Sequence, residues 1–204
     1  MKNQYQSVMI DLETMGNNSR SPILSIGAVA FDPMGIQPVS TLPTFYRNVK
    51  LESCMAFGLA PDASTIMWWL GQSEEARAAL TTPLPTDLTT ALSDFYYWFK
   101  ETGAEDLWAH ATFDPVIMKS AALASSMSIP WSHRNVRDIR TLVALGKELG
   151  FEPPASGSEG RNDLVKHTAL GDAQYQVGYV RFLYQAVIGD RKKAPEAELE
   201  TVAA

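Results

Sequence analysis

Two acidic residues, one position apart, end an apolar segment near the start of the chain. The segment VMIDLE places Asp11 and Glu13 on either side of Leu12, directly after three apolar residues. In a β-strand, residues i and i+2 point to the same face, so the two carboxylates would lie side by side. Carboxylates held this close repel each other unless a cation lies between them. The pair therefore indicates half of a metal site, and a strand that simply ends in solvent is the alternative.

Three further candidates with ionisable side chains stand much later in the sequence. In HATFDP, Asp114 follows a short apolar strand and begins a predicted helix, where a carboxylate lies at the positive end of the helix dipole; a simple N-cap is the alternative. In HTALGD, His167 precedes the last predicted helix and Asp172 lies about one turn into it. A histidine beside an acid can act as a general base, and a structural histidine is the alternative.

Four carboxylates and one histidine predict a site that binds divalent cations. Three or four carboxylates around one pocket cannot all be ionised without cations, and hard oxygen ligands favour Mg²⁺ or Mn²⁺ over Zn²⁺. Two such ions about 4 Å apart stabilise both the attacking and the leaving oxygen of a phosphodiester. A neutral histidine nearby can take a proton from the attacking water. We therefore expect a phosphodiester hydrolase.

The elements that would position these side chains can be placed from the hydrophobic pattern. Strands are predicted at 8–12, 23–31, 45–51 and 106–110, the last ending at His110. Helices are predicted at 62–80, 86–101, 115–126, 138–149 and 168–188. A loop rich in Pro, Gly and Ser is predicted at 151–166. Strands that come early and alternate later with helices are typical of an α/β domain.

Composition and charge limit the partners of this domain. A chain of 204 residues with 46% hydrophobic residues fits one domain, predicted at 1–189, followed by a disordered tail at 190–204. One cysteine, no membrane-spanning run and no apolar signal segment predict a cytoplasmic protein. A net charge of −6 argues against a protein that grips a long stretch of nucleic acid. An enzyme that engages only a few nucleotides is still allowed, because bound cations supply positive charge.

The segments IDLETMG, HATFDP and HTALGD resemble the three motifs of the DEDDh 3′→5′ exonucleases, a family of the ribonuclease H-like superfamily. The resemblance implies an α/β fold with a mixed five-stranded sheet flanked by helices. It also implies two Mg²⁺ (or Mn²⁺) ions held by the four acids, with His167 as the general base. STIMWWLGQSEEAR and RDIRTL resemble most closely the branch of the T4-type phage exodeoxyribonuclease A and the bacterial ribonuclease T-like exoribonucleases. Ala111 departs from this pattern, since many relatives have Asn after the histidine at position 110.

Several residues near the motifs are candidates for substrate contacts. By resemblance, Thr14, Met15 and Gly16 would receive the 3′-terminal nucleotide; a turn with a core methionine is the alternative. Phe113 could stack on an unpaired base. Trp68 falls off the apolar stripe of its predicted helix and could face either substrate or a partner subunit, since relatives commonly form homodimers.

The leading hypothesis is a metal-dependent 3′→5′ exonuclease that acts on single-stranded DNA or RNA 3′ ends and releases nucleoside 5′-monophosphates. A non-catalytic module that binds a nucleic-acid end or a polymerase is one alternative. A phosphodiesterase of dinucleotides or short oligonucleotides is another. The resembling branch contains both DNA and RNA enzymes, so both substrates stay open.

Overall fold

A computed structural model of the protein describes residues 5–151 and 168–189, which form one mixed sheet with helices on both faces. The predicted tail at 190–204, residue His167 and nearly all of the predicted loop at 151–166 lie outside the described residues. In the part of the chain that is described, no helix combines the length and the apolar character needed to cross a membrane.

Among the described elements, three strands come first, four helices follow, and two further strands then lie between the later helices. The strands are β1 (Ser7–Thr14), β2 (Ile23–Phe31), β3 (Thr44–Asn48), β4 (Asp106–Ala109) and β5 (Val136–Asp138). The helices are α1 (Leu51–Ala56), α2 (Ala63–Leu70), α3 (Glu74–Ala79), α4 (Leu88–Thr102), α5 (Asp114–Ala124), α6 (Ile139–Glu148) and α7 (Ala169–Gly189).

The sheet has five strands in the order β3-β2-β1-β4-β5. β1 pairs antiparallel with β2 and parallel with β4, and β4 pairs parallel with β5. The carboxyl ends of β1, β4 and β5 therefore meet at one edge, which is where open α/β sheets place their ligand sites. The mixed five-stranded α/β sheet that the ribonuclease H-like resemblance implied is confirmed.

Side chains of β1 alternate between two cores. Val8, Ile10 and Leu12 face a large core that includes Phe95 and Phe99 of α4 and Ile117 of α5. Met9 faces the opposite core, together with Val177 and Val180 of α7. Because successive side chains of a strand point to opposite faces, Asp11 and Glu13 continue the row of Met9 toward α7. The alternation thus aims both carboxylates at the last helix.

Two predicted elements differ from the structure. The single helix predicted at 62–80 is two helices, because Gly71 ends α2 and the Ser73 side chain accepts a hydrogen bond from the Ala76 amide to begin α3. The strand predicted at 45–51 ends at Asn48, and Leu51 begins α1. The Asp138 side chain caps α6, because its carboxylate accepts a hydrogen bond from the Thr141 amide.

Candidate active site

Three of the predicted acids meet at the carboxyl end of β1. One carboxylate oxygen each from Asp11, Glu13 and Asp172 lies within 4.8 Å of the other two. Asp11 and Glu13 come from the end of β1, whereas Asp172 comes from the first turn of α7. Residues more than 150 positions apart in the sequence therefore lie close together in the fold.

A glycine on β2 lets α7 come this close to the sheet. Gly27 lies opposite Asp11 in the antiparallel ladder. A Cβ atom on Gly27 would lie 2.2 Å from the backbone carbon of Ala169 and 2.2 Å from the backbone nitrogen of Leu170. The start of α7 therefore rests directly on the β2 backbone, next to Asp11. This contact fixes the height at which Asp172 stands above the strand.

A glutamine of α7 holds the Asp11 carboxylate. The Gln176 Nε2 group donates a hydrogen bond of 2.7 Å to Asp11 Oδ1, and the Gln176 side chain is buried. Gln176 follows Asp172 by four residues, so both side chains lie on the same face of α7. The sequence analysis missed this residue. The i, i+4 spacing from the motif aspartate was the available signal.

Asp114 joins the site from the other side of β1. Its Oδ1 accepts a 3.2 Å hydrogen bond from the Leu12 amide, and its Oδ2 accepts a 3.0 Å hydrogen bond from the His110 amide. Phe113, not Asp114, occupies the N-cap position of α5, so the simple N-cap alternative does not describe Asp114. Asp114 lies outside the group of three close carboxylates, and it links the end of β1 to the loop after β4.

The electrostatics of the site favour a bound cation. Burial raises the pKa of Glu13 to about 8, with further contributions from the charges of Asp172 and Asp114. Burial and the neighbouring charges of Asp114, Glu13 and Asp172 raise the pKa of Asp11 well above its ordinary value. Burial likewise raises the pKa of Asp114 to about 7. A divalent cation removes this repulsion, and the all-carboxylate donor set fits Mg²⁺ or Mn²⁺. The residues present therefore fit a metal site.

The predicted substrate contacts occupy different environments. Thr14 is buried, and its hydroxyl donates a 2.5 Å hydrogen bond to the Gly16 carbonyl. Gly16 packs on Ser21, since a Cβ atom at this position would lie 2.4 Å from Ser21 Oγ. Met15 is half-buried and packs with Trp69 in a small third core. The turn after β1 is therefore held by the hydrogen bond between Thr14 and Gly16 and by the packing of Gly16 and Met15.

The two aromatic candidates lie on different elements, Phe113 at the start of α5 and Trp68 on α2. Phe113 is half-buried and packs against the large core. Trp69 is buried, and its Nε1 group donates a 3.0 Å hydrogen bond to the Thr14 carbonyl. Trp68 is 45% exposed, and its ring packs edge-on against Trp69 at 4.9 Å. The hydrogen bond of Trp69 thus fixes α2, with Trp68 on it, against the turn after β1.

The predicted general base cannot be placed, because His167 lies outside the described residues. Residue Thr168, which follows it, begins the first turn of α7: the Asp172 amide donates a 2.9 Å hydrogen bond to the Thr168 carbonyl. The assignment of His167 stays a prediction.

Comparisons with known proteins give one family match and several similar solved structures. The family described as 3′-5′ exoribonuclease Rv2179c-like domain matches residues 6–184 of the chain. No curated protein sequence matches the chain significantly. Among solved structures, the RNase domain of the yeast Pop2 protein is similar to it with a TM-score of 0.49 and 14% identity, over 91% of this chain and 78% of that one. A structure described as the yeast NOT1 MIF4G domain co-crystallized with CAF1 gives a TM-score of 0.46 and 15% identity, over 92% of this chain and 81% of the other.

The family match spans most of the chain and includes every element that carries a candidate ligand, from β1 to the first turn of α7. It makes the protein a nuclease with a nucleic-acid substrate. The chain belongs to the Rv2179c-like 3′-5′ exoribonuclease domain family, and it is a 3′-5′ exonuclease.

Proposed function

We propose that the protein is a metal-dependent 3′→5′ exonuclease of the DEDDh type that removes nucleoside 5′-monophosphates from single-stranded 3′ ends. The observation that carries this proposal is the convergence of the Asp11, Glu13 and Asp172 carboxylates beside buried Asp114. Two Mg²⁺ or Mn²⁺ ions held by these four acids would supply the positive charge that stabilises the attacking and leaving oxygens.

The side chains of the chain itself have separate tasks in this proposal. Gln176 donates to one oxygen of Asp11 and leaves the other oxygen free to bind a cation. The two backbone amides that donate to Asp114 fix its orientation. His167, just before α7, would accept the proton of the attacking water. In this proposal, Gln176 and the backbone amides hold the metal-binding carboxylates in place, and His167 removes the proton from the attacking water.

RNA is the preferred substrate in this proposal, because the family is described as exoribonucleases. A single strand fits better than a duplex, since a chain with net charge −6 has little positive surface to hold two backbones. Thr14, Met15, Gly16 and Phe113 are the proposed contacts with the terminal nucleotide.

Other features were predicted from the composition of the chain or from the resemblance, and they stay proposals of the same kind. They are a domain spanning 1–189 with a disordered tail at 190–204, a cytoplasmic location, and membership in the branch of the phage exodeoxyribonuclease A and the ribonuclease T-like enzymes. We also propose a homodimer, for which the exposed Trp68 side of α2 is the candidate surface. Light scattering measures the mass of the particle and tests the dimer directly.

The exonuclease is tested with 5′-labelled single-stranded RNA and DNA of one sequence, in Mg²⁺, Mn²⁺ or EDTA. We expect a ladder that shortens from the 3′ end in either metal, none in EDTA, and a rate at least about 100-fold lower for Asp172→Asn. Glu52→Gln, which neutralises an exposed acid on α1, is the matched control and should keep the wild-type rate. A ladder of equal rate in Asp172→Asn would refute the proposed metal site. Cleavage restricted to dinucleotides would instead identify a short-oligonucleotide phosphodiesterase.

A further inference from the structure

β2 carries a single polar side chain, and it lies directly across the sheet from a proposed metal ligand. All residues of β2, Ile23–Phe31, are buried, and Ser25 is the only one of them with a polar side chain. The antiparallel register pairs Ser25 with Glu13 of β1. Residues opposite each other in such a ladder point to the same face, with Cβ atoms about 4.5–5.5 Å apart. Ser25 therefore stands beside Glu13 on the face of the sheet that α7 covers.

The Ser25 hydroxyl is buried and has no hydrogen-bond partner. Ser25 is 1% exposed, and its Oγ atom makes no hydrogen bond of good geometry within the described part of the chain. A buried hydroxyl without a partner lowers the stability of a folded protein, whereas alanine would fill nearly the same space without this cost. The fold of the cation-free protein thus gains nothing from a serine at this position.

Tyr46 of β3 indicates that the Glu13 carboxylate and the Ser25 hydroxyl extend toward each other. Tyr46 is paired with Gly27, which has no side chain to separate it from β1. Burial raises the pKa of Tyr46, the neighbouring Ser25 hydroxyl opposes this rise, and the charge of Glu13 adds to it. The Tyr46 hydroxyl donates its own proton to the Ala79 carbonyl at 3.0 Å. Ser25 and Glu13 therefore share one neighbour, which uses its proton elsewhere.

Two other acids of the site already have donors that hold them. Gln176 donates to Asp11, and two backbone amides donate to Asp114. A donor of this kind keeps a carboxylate in the orientation in which it binds a cation. Ser25 is placed to give Glu13 the same support. Its hydroxyl can turn between staggered positions without any movement of the backbone.

We propose that Ser25 is a positioning residue for Glu13: when a divalent cation is bound, Ser25 Oγ donates a hydrogen bond to the Glu13 carboxylate and fixes its orientation toward the ion. This inference rests on the proposed function, because it assumes that Glu13 is a metal ligand. Ser25 acts only through Glu13 and takes no part in the chemistry itself. Loss of its hydroxyl should therefore weaken cation binding without harming the cation-free protein.

Titration calorimetry with Mn²⁺ in the absence of substrate, together with thermal unfolding in EDTA, tests this role. We expect Ser25→Ala to bind Mn²⁺ about tenfold more weakly than the wild-type protein. Its melting temperature in EDTA should be at least as high as that of the wild type, because the unpartnered hydroxyl is gone. Ser25→Thr keeps a hydroxyl and suits a strand, so it should retain most of the Mn²⁺ affinity.

Ser7 provides the matched control. It begins β1, it is fully buried, and its Oγ atom likewise has no hydrogen-bond partner among the described residues. Ser7 points to the same face as Glu13 but lies at the other end of the strand, about 20 Å away. Ser7→Ala should therefore remove an unpartnered hydroxyl and leave the Mn²⁺ affinity at the wild-type value.

Three results would overturn the role of Ser25. They are an unchanged Mn²⁺ affinity in Ser25→Ala, an equal loss of affinity in Ser7→Ala, and a lower melting temperature of Ser25→Ala in EDTA. The last result would show that the fold itself uses the hydroxyl, with Asn48 as the acceptor, since Asn48 lies opposite Ser25 on β3 and its Oδ1 atom is buried without a partner in the described chain.

The wild-type protein separates this inference from the proposed function. A wild-type protein that binds no Mn²⁺ would refute the metal site itself, and the role of Ser25 with it. Binding that is lost in Asp172→Asn but unchanged in Ser25→Ala would keep the metal site and refute only the role of Ser25.

Discussion

Gln176 links the Asp11 carboxylate to the last helix, and its effect should be on metal binding. A side chain that donates to a metal ligand fixes the orientation of that ligand, and its loss typically costs about 10–100-fold in metal affinity or activity. We therefore expect Gln176→Leu to raise the Mg²⁺ concentration that gives half-maximal cleavage by about tenfold. Titration of the cleavage rate with Mg²⁺ measures this value.

Another glutamine of α7 provides the control for this substitution. Gln185 donates a 3.1 Å hydrogen bond to the Gly35 carbonyl, far along the helix from Asp172. Gln185→Leu should leave the Mg²⁺ requirement at the wild-type value. If both variants shifted it equally, the hydrogen bond to Asp11 would have no specific role.

The sequence predicted the acids of this site better than their supporting residues. Asp11 and Glu13 interrupt an apolar strand, where a charge is rare and needs a reason. Gln176 stands on a helix, where glutamine is common and carries no signal by itself. Long-range contacts of this kind have no local trace in a sequence.

At the scale of elements, the contact between β2 and α7 decides whether the site forms. A methyl group on Gly27 would collide with the backbone of Ala169 and Leu170, which cannot move as a flexible side chain could. We expect Gly27→Ala to lower the free energy of unfolding by about 1–3 kcal/mol. We also expect it to weaken Mg²⁺ binding, because α7 carries Asp172. Urea unfolding and Mg²⁺ titration measure the two effects.

Gly178 is the matched control, since it lies on an exposed face of the same helix and a Cβ atom there would meet nothing within 4 Å. Gly178→Ala should stabilise the protein by about 1 kcal/mol, because alanine is the better helix former. A Gly27→Ala variant as stable as the wild type would show that α7 does not rest on β2.

The elements differ in how well the sequence predicts them, and the reason is length. β2 was predicted with its observed bounds, Ile23–Phe31, because nine buried residues give a strong pattern. β5 has three half-buried residues, too few for any periodicity, and it was not located. The helix predicted at 62–80 kept its start at Asp62, whereas its interruption at Gly71 follows from local capping that competes with a continuous helix.

At the scale of the whole molecule, the acidic site opposes folding when no cation is bound. Three of its carboxyl groups have pKa values above the ordinary range, because burial and mutual repulsion favour the protonated form. Such groups contribute stability at low pH that is lost as the pH rises through their pKa values in the folded protein. Without a cation, the folded protein should therefore be less stable near neutral pH than at low pH, and a bound divalent cation would remove this loss of stability.

This reasoning predicts how metal and pH act together on thermal stability. The pKa of Glu13 is raised to about 8 and that of Asp114 to about 7, so in EDTA the melting temperature should fall between about pH 5 and about pH 8. Mg²⁺ binds the ionised carboxylates, so it should raise the melting temperature more at the higher pH, on the order of 5 °C at saturation. Differential scanning calorimetry at both pH values, with and without Mg²⁺, measures the difference.

Asp11→Asn removes one of the repelling charges, so this variant should be less destabilised by the rise in pH and gain less from Mg²⁺. An equal effect of Mg²⁺ at both pH values would contradict a site whose carboxylates must lose protons before the cation binds.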